Sequence, residues 1–138
     1  MRTQRTKQGF TLVEIMIVVA IIALLAAIAI PNLLRAKMTS NDALAKATLR
    51  AISTAAESYG TANNGNYPGS EASLTSANPP FLNTSYCANS QVGNQGIAGY
   101  IYNCTMSNSG YTVTATPVLA GSTGTTIETI TTGGVLTP

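Results

Sequence analysis

The 138 residues contain no histidine, no tryptophan and only two cysteines, and charged residues make up just 9% of the chain. Without histidine there is no Ser–His or Cys–His arrangement for nucleophilic catalysis and no imidazole to ligate a metal. Two cysteines and five widely spaced acids supply too few ligands for a metal site. No glycine-rich loop follows a strand and opens a helix, so no phosphate cradle is expected. Residues 60–138 hold no Lys, Arg or Asp, and their only charged side chains are Glu71 and Glu128. Attraction for phosphate would fall to Arg35, Lys37, Lys46 and Arg50, and no nucleic-acid partner is expected. These absences speak against an enzyme, a cofactor and a bound metal.

What is present is one long apolar run. Residues 9–31 read GFTLVEIMIVVAIIALLAAIAIP, and from 12 to 30 the sole charge is Glu14. At about 1.5 Å per residue those positions make roughly 28 Å of helix, close to the ~30 Å hydrocarbon core of a bilayer. Residues 1–9, MRTQRTKQG, carry Arg2, Arg5 and Lys7 and no acid. That bias keeps the N-terminus cytoplasmic and sends the rest of the chain outward. Ala27-Ile28-Ala29 matches a secretory cleavage pattern. The apolar run, however, exceeds the ~7–15 residues of a signal h-region and contains an acid. A carboxylate at the centre of a span costs about 2.5–3.5 kcal/mol, and less near its end. Glu14 therefore reads as a charge awaiting a partner.

The stretch GFTLVEIMIVVAIIALLAAIAIPN resembles the class III signal of type IV pilins and the related type II secretion pseudopilins. The shared features are a basic leader ending in Gly9, then Phe10, an acid at Glu14, and Pro31 near the end of the apolar helix. The resemblance covers residues 2–35; Ala23 stands where many relatives carry glycine. It implies cleavage by a prepilin peptidase between Gly9 and Phe10, N-methylation of the new Phe10 amine, and packing of the helix into a filament core. It further implies an inner-membrane precursor, assembly machinery in that membrane, and self-association as a helical homopolymer. Phe10, Glu14 and Pro31 are the expected assembly residues. An unpaired ammonium on Phe10 and an unpaired Glu14 carboxylate would both be costly in an apolar core. A pair between Glu14 of one subunit and Phe10 of a neighbour satisfies both, although the four-residue spacing also allows a pair within one helix.

The expected division is a leader at 1–9, a hydrophobic transmembrane and filament-core helix at 10–31, an amphipathic helix at 32–59, and a loop region with antiparallel sheet at 60–138. Without the leader the side chains carry four positive and five negative charges, a net of −1. Met38, Ala45, Leu49, Ile52, Ala56 and Tyr59 recur at helical spacing and form one apolar face. Gly60 is the expected C-cap. Asn63-Asn64-Gly65, Tyr67-Pro68-Gly69 and Asn78-Pro79-Pro80 mark turns, with one helical turn expected at 71–75. Alternation predicts strands at 98–105, 111–116 and 125–131, and a short one at 135–136 after Gly133-Gly134. The fold class is α+β, a long N-terminal helix packed on a small antiparallel meander. This is also the ladle-shaped subunit that the resemblance implies.

Cys87 and Cys104 would lie on the oxidising side of the membrane, where a disulfide is the default and two free thiols the alternative. Closing such a loop would contribute about 3 kcal/mol. Asn83-Thr84-Ser85 and Asn103-Cys104-Thr105 match the glycosylation sequon, a frequent coincidence in a chain so rich in Asn, Ser and Thr. The expected function is structural: the major subunit of a type IV pilus, or alternatively a pseudopilin of a type II secretion system. Major pseudopilins bind calcium through Asp carboxylates, and the lack of Asp in 60–138 favours the pilus. A minor pilin acting as a tip or DNA-uptake module is a third reading, disfavoured by the missing cations.

Overall fold

The computed structural model describes residues 9–91 and 96–138. The expected leader therefore lies outside the described residues except for Gly9. The elements run α1 (Leu12–Ala62), α2 (Glu71–Thr75), α3 (Tyr86–Gln91), β1 (Tyr100–Ser107), β2 (Gly110–Pro117), β3 (Glu128–Thr131) and β4 (Val135–Thr137). The chain divides into two units, one ending at Arg35 and the other spanning Ala36–Pro138, and α1 contributes to both.

In the first unit the helix has no core to face. Its large apolar side chains from Leu12 to Leu34 are 50–74% exposed. The apolar run is long enough and free enough of charge to cross a membrane. Pro31 sits inside the helix, which continues on both sides of it.

In the second unit the same helix turns one face inward. Ala45, Leu49, Ile52, Ala55 and Ala56 are buried, as are Thr48, Ser53 and Gly60. Full burial of Leu49 or Ile52 is worth about 1.5–3 kcal/mol each. The opposing layer is a four-stranded antiparallel sheet in sequence order, β1-β2-β3-β4. Tyr100 and Tyr102 of β1, Tyr111, Val113 and Ala115 of β2, and Ile130 of β3 supply its buried face. They lie two residues apart along each strand because successive side chains leave opposite faces of a pleated chain. Leu74 and Leu82 close the core from the loop region.

Four local expectations need correction. Gly60 is not the helix end but lies inside α1, where a Cβ would meet the Tyr67 ring at 3.4 Å. The cap falls four residues later, at Asn64. Asn64 adopts φ 55° and the Gly65 amide reaches back to the Gly60 carbonyl at 2.8 Å, closing a Schellman-type turn. The third strand starts at Glu128 rather than 125, because Thr125 and Thr126 give backbone groups to side chains of α1 and β1. The Thr125 amide donates to Asp42 Oδ1, and the Thr126 carbonyl lies 3.0 Å from the Tyr100 hydroxyl. The first strand starts at Tyr100 rather than 98, after Ala98 (φ 51°) and Gly99 (φ 80°) have turned the chain. Finally, the loop region contains α3 besides the expected α2.

Candidate functional site

The first unit places the expected assembly residues at and near the start of α1. Gly9 and Phe10 precede the helix, and Phe10 is 86% exposed. Thr11 caps the helix. The Thr11 amide and hydroxyl each donate to Glu14 Oε2 at 2.8 Å, and the Glu14 amide donates back to Thr11 Oγ1 at 3.2 Å. This reciprocal pair is a capping box. Its signature, Thr-x-x-Glu before an apolar run, stands in the sequence at residues 11–14 and was the signal that could have found it. Glu14 is exposed and Oε1 takes no hydrogen bond among the described residues. One carboxylate oxygen thus orders the helix start and the other faces outward, able to accept from a cation. Pro31, likewise exposed, lies 17 residues further along α1 and does not meet Glu14 within one chain.

The second unit uses its few charges to hold helix and sheet together. Asp42 accepts from the Tyr100 hydroxyl at 2.7 Å and from the Thr125 amide at 3.1 Å, while Thr125 Oγ1 donates to its other oxygen. Asn41 beside it donates to the Thr123 carbonyl at 2.7 Å. Glu57 accepts from the hydroxyls of Tyr67 and Tyr111, at 2.8 and 2.9 Å, and from the Gly133 amide at 2.7 Å. Lys46 lies 3.2 Å from Glu128, which is 3% exposed in its side chain and also accepts from Thr126 Oγ1.

These contacts set the ionisation of the groups. Burial pushes Asp42 up, but Thr125 and Tyr100 outweigh it and hold the carboxyl below its ordinary value. Glu57 is likewise pushed up by burial and pulled further down by Gly133, Tyr67 and Tyr111. Burial, reinforced by Asp42, pushes the Tyr100 hydroxyl up to about 12. Burial and Glu57 carry Tyr111 up to about 12 as well, against the opposing bond from Ser53.

Glu71 does a third job. Its carboxylate accepts from the amides of Tyr86, at 2.6 Å, and Cys87, at 3.0 Å, and from the Ser85 hydroxyl. It thereby caps α3 from a distant point in the sequence, and a negative charge is favoured at a helix N-terminus. Cys87 of α3 is joined by a disulfide to Cys104 of β1. The ligand atoms of Glu71, Cys87 and Cys104 lie within 4.8 Å of one another. With the sulfurs bonded to each other and the carboxylate occupied by α3, this cluster offers no thiolate to a metal.

A family profile described as the prokaryotic N-terminal methylation motif matches residues 4–30. The chain is 43% identical over 93 residues to the type IV wide pilus major component PilA4 of Thermus thermophilus, covering 62% of this chain and 70% of that protein. It is 54% identical over 52 residues to the type IV major pilin protein PilA of Myxococcus xanthus, covering 38% of this chain and 24% of that protein. A third relative, the type II secretion system core protein G of Aeromonas hydrophila, is 35% identical over 71 residues, or 51% of this chain and 49% of the relative. No solved structure matches significantly.

Proposed function

We propose that this chain, which belongs to the type IV pilin family, is the major subunit of an extracellular type IV pilus serving adhesion, motility or a related surface role. The observation that carries the reading is the bare apolar helix of the first unit, with Glu14 near its start and one carboxylate oxygen facing outward. That surface needs lipid or sister helices around it, and a polymer of the same chain supplies the second. The precursor sits in the inner membrane with residues 1–9 in the cytoplasm and is cut between Gly9 and Phe10. The new Phe10 amine is methylated by the same prepilin peptidase and methyltransferase activity. Inner-membrane machinery then moves the subunit into the filament.

Methylation keeps the positive charge on Phe10. Glu14 of one subunit meets that charge on a neighbour through Oε1, while Oε2 stays on Thr11. The functional divisions are the leader at 1–9, the span at 10–31, the amphipathic helix at 32–59 and the loop and sheet region at 60–138. Pro31 lets the helix adjust where the carbonyl of Ala27 lacks its usual donor. The chain acts as a building unit and carries out no catalysis.

Mass spectrometry of filaments sheared from cells tests the reading. The expected result is this chain as the dominant protein, beginning at a methylated Phe10. Recovery with residues 1–9 attached, or only as a lone monomer, overturns it. The second reading is a pseudopilin, favoured by the similarity to protein G. The same measurement separates them, because a pseudopilus remains in the periplasm and is not sheared into the medium.

A further inference from the structure

The sheet has two edges, and the described residues close only part of one. Across the β1–β2 ladder Ile101 faces Thr116, Asn103 faces Thr114 and Thr105 faces Thr112. Tyr111 of β2 turns its own amide and carbonyl the other way, to Thr132. By the alternation of an antiparallel pair, Tyr100, Tyr102, Cys104 and Met106 of β1 direct their N–H and C=O groups outward, away from β2.

The described residues cover two of these four. Tyr100 exchanges hydrogen bonds with Ile97 at 2.7 and 3.1 Å. At Tyr102 the Ser90 hydroxyl accepts from the amide at 2.9 Å and lies 3.3 Å from the carbonyl. Ser90 of α3 thus stands in for a missing strand. At Cys104 and Met106 no partner takes the outward groups among the described residues. Instead these residues line a cleft of about 500 Å³, walled on one side by Gly69, Ser70 and Glu71 and on the other by Cys87 and Ala88 of α3. That size falls within the ~300–1,000 Å³ of ligand sites. The oxygens of Glu71 are already taken by α3. The unmet chemistry of the cleft is that of backbone amides and carbonyls in strand spacing, which an extended peptide satisfies.

The opposite edge is β4. Thr129 pairs with Thr137 and Thr131 with Val135, and the backbone of Leu136 between them points outward by the same alternation. Residues 135–138 carry no charged side chain, and Val135 is 56% exposed. A filament repeats one head-to-tail contact, in which one face of a subunit meets a different face of the next. Two open edges on one subunit are the two halves of such a contact.

We propose that the edge at Cys104 and Met106 receives β4 of a second copy of this chain as an added strand. The sheet of one subunit then continues into the next. The proposal rests on the filament reading above. Each edge is too short to hold a strand alone, so the contact forms only where the polymer already holds the copies together.

Residue-resolved amide exchange on filaments and on the detergent-solubilised full chain tests it. In filaments the amides of Cys104, Met106 and Leu136 are expected to slow by about tenfold or more, as hydrogen-bonded amides do. Asn103, bonded within the sheet, should be slow in both samples. Filaments in which Cys104 and Met106 exchange as fast as in detergent overturn the proposal while leaving the filament reading intact. Protection at Cys104 and Met106 with Leu136 still fast also overturns it, because a different strand is then seated. Failure of the wild-type chain to form filaments overturns the filament reading itself, and this proposal with it. As a second check, Met106→Pro removes the outward donor without touching the β1–β2 ladder. Its filaments should break at lower shear, and unchanged shear resistance from a correctly disulfide-bonded variant counts against the added strand.

Discussion

Glu57 on the helix and Tyr111 on β2 meet at 2.9 Å, carboxylate to hydroxyl, and the Ser53 hydroxyl lies 2.7 Å from the same phenol oxygen. Between them they join the helix to the centre of the sheet. The Gly133 amide binds the same Glu57 oxygen and ties in the β3–β4 turn, where Gly133 and Gly134 both take positive φ. An exposed-looking acid on an amphipathic helix is therefore a structural clamp.

The clamp predicts a pH profile. Asp42 and Glu57 have folded values below the ordinary 3.8 and 4.5. Their contribution to stability is fully present above those ordinary values and is lost as pH falls through the lower folded ones. Tyr100 and Tyr111 are raised from 10 to about 12, so their contribution is present below pH 10 and is lost as pH rises toward about 12. Thermal unfolding of the detergent-solubilised chain, followed by tyrosine circular dichroism, should be flat near neutrality and fall at both extremes. Glu57→Gln should weaken the acid limb, and an unchanged limb would remove Glu57 from the account.

Glu14 and Thr11 should separate by substitution. Thr11→Ala removes the cap, which costs about 1 kcal/mol of helix stability, and leaves the carboxylate available for a neighbour. Filaments should still form. Glu14→Ala removes the charge proposed to meet the Phe10 amine and should sharply lower filament yield. Equal yields from the two variants, measured on sheared fractions, would contradict an assembly role for Glu14.

The disulfide should be visible in the mass. The intact chain is expected two hydrogens lighter than its reduced form. Replacing Cys87 and Cys104 together by serine should cost about 2–4 kcal/mol, the usual worth of a bridge closing a loop of this size. Chemical denaturation of the variant beside the parent reads that loss.

Gly124→Ala should loosen the loop before β3. A Cβ there would fall within 2.6 Å of Tyr100 Cζ, and the Tyr100 side chain is fully buried and tied to Asp42. The ring has no room to swing aside, so the loop must shift, at a cost of about 1–3 kcal/mol. A lower unfolding temperature, with faster exchange at the Thr125 amide, is the expected result.

The buried faces were largely legible in advance. Leu49, Ile52 and Ala56 fall on the inward face because helical spacing alone puts them together, and Tyr100 and Tyr102 alternate inward because a strand has period two. The ties were not. Asp42 and Thr125 are 83 residues apart, and no local pattern relates them. Gly60 shows the opposite failure: a residue with strong local meaning lies inside the helix, where the Tyr67 ring packs against it.

Sequence by itself determined the span, the place of its one acid and the order of helix before strands. Each of these follows from hydropathy and periodicity, which act over a few consecutive residues. Tertiary structure alone decided where β3 begins, why residues 86–91 are helical, and which acids are spoken for. Those outcomes depend on a hydrogen-bond partner brought close only after the chain has folded back. Glu71 makes a helix of Tyr86–Gln91 by supplying oxygens from 15 or more residues upstream, and nothing in YCANSQ announces that donors there will be met.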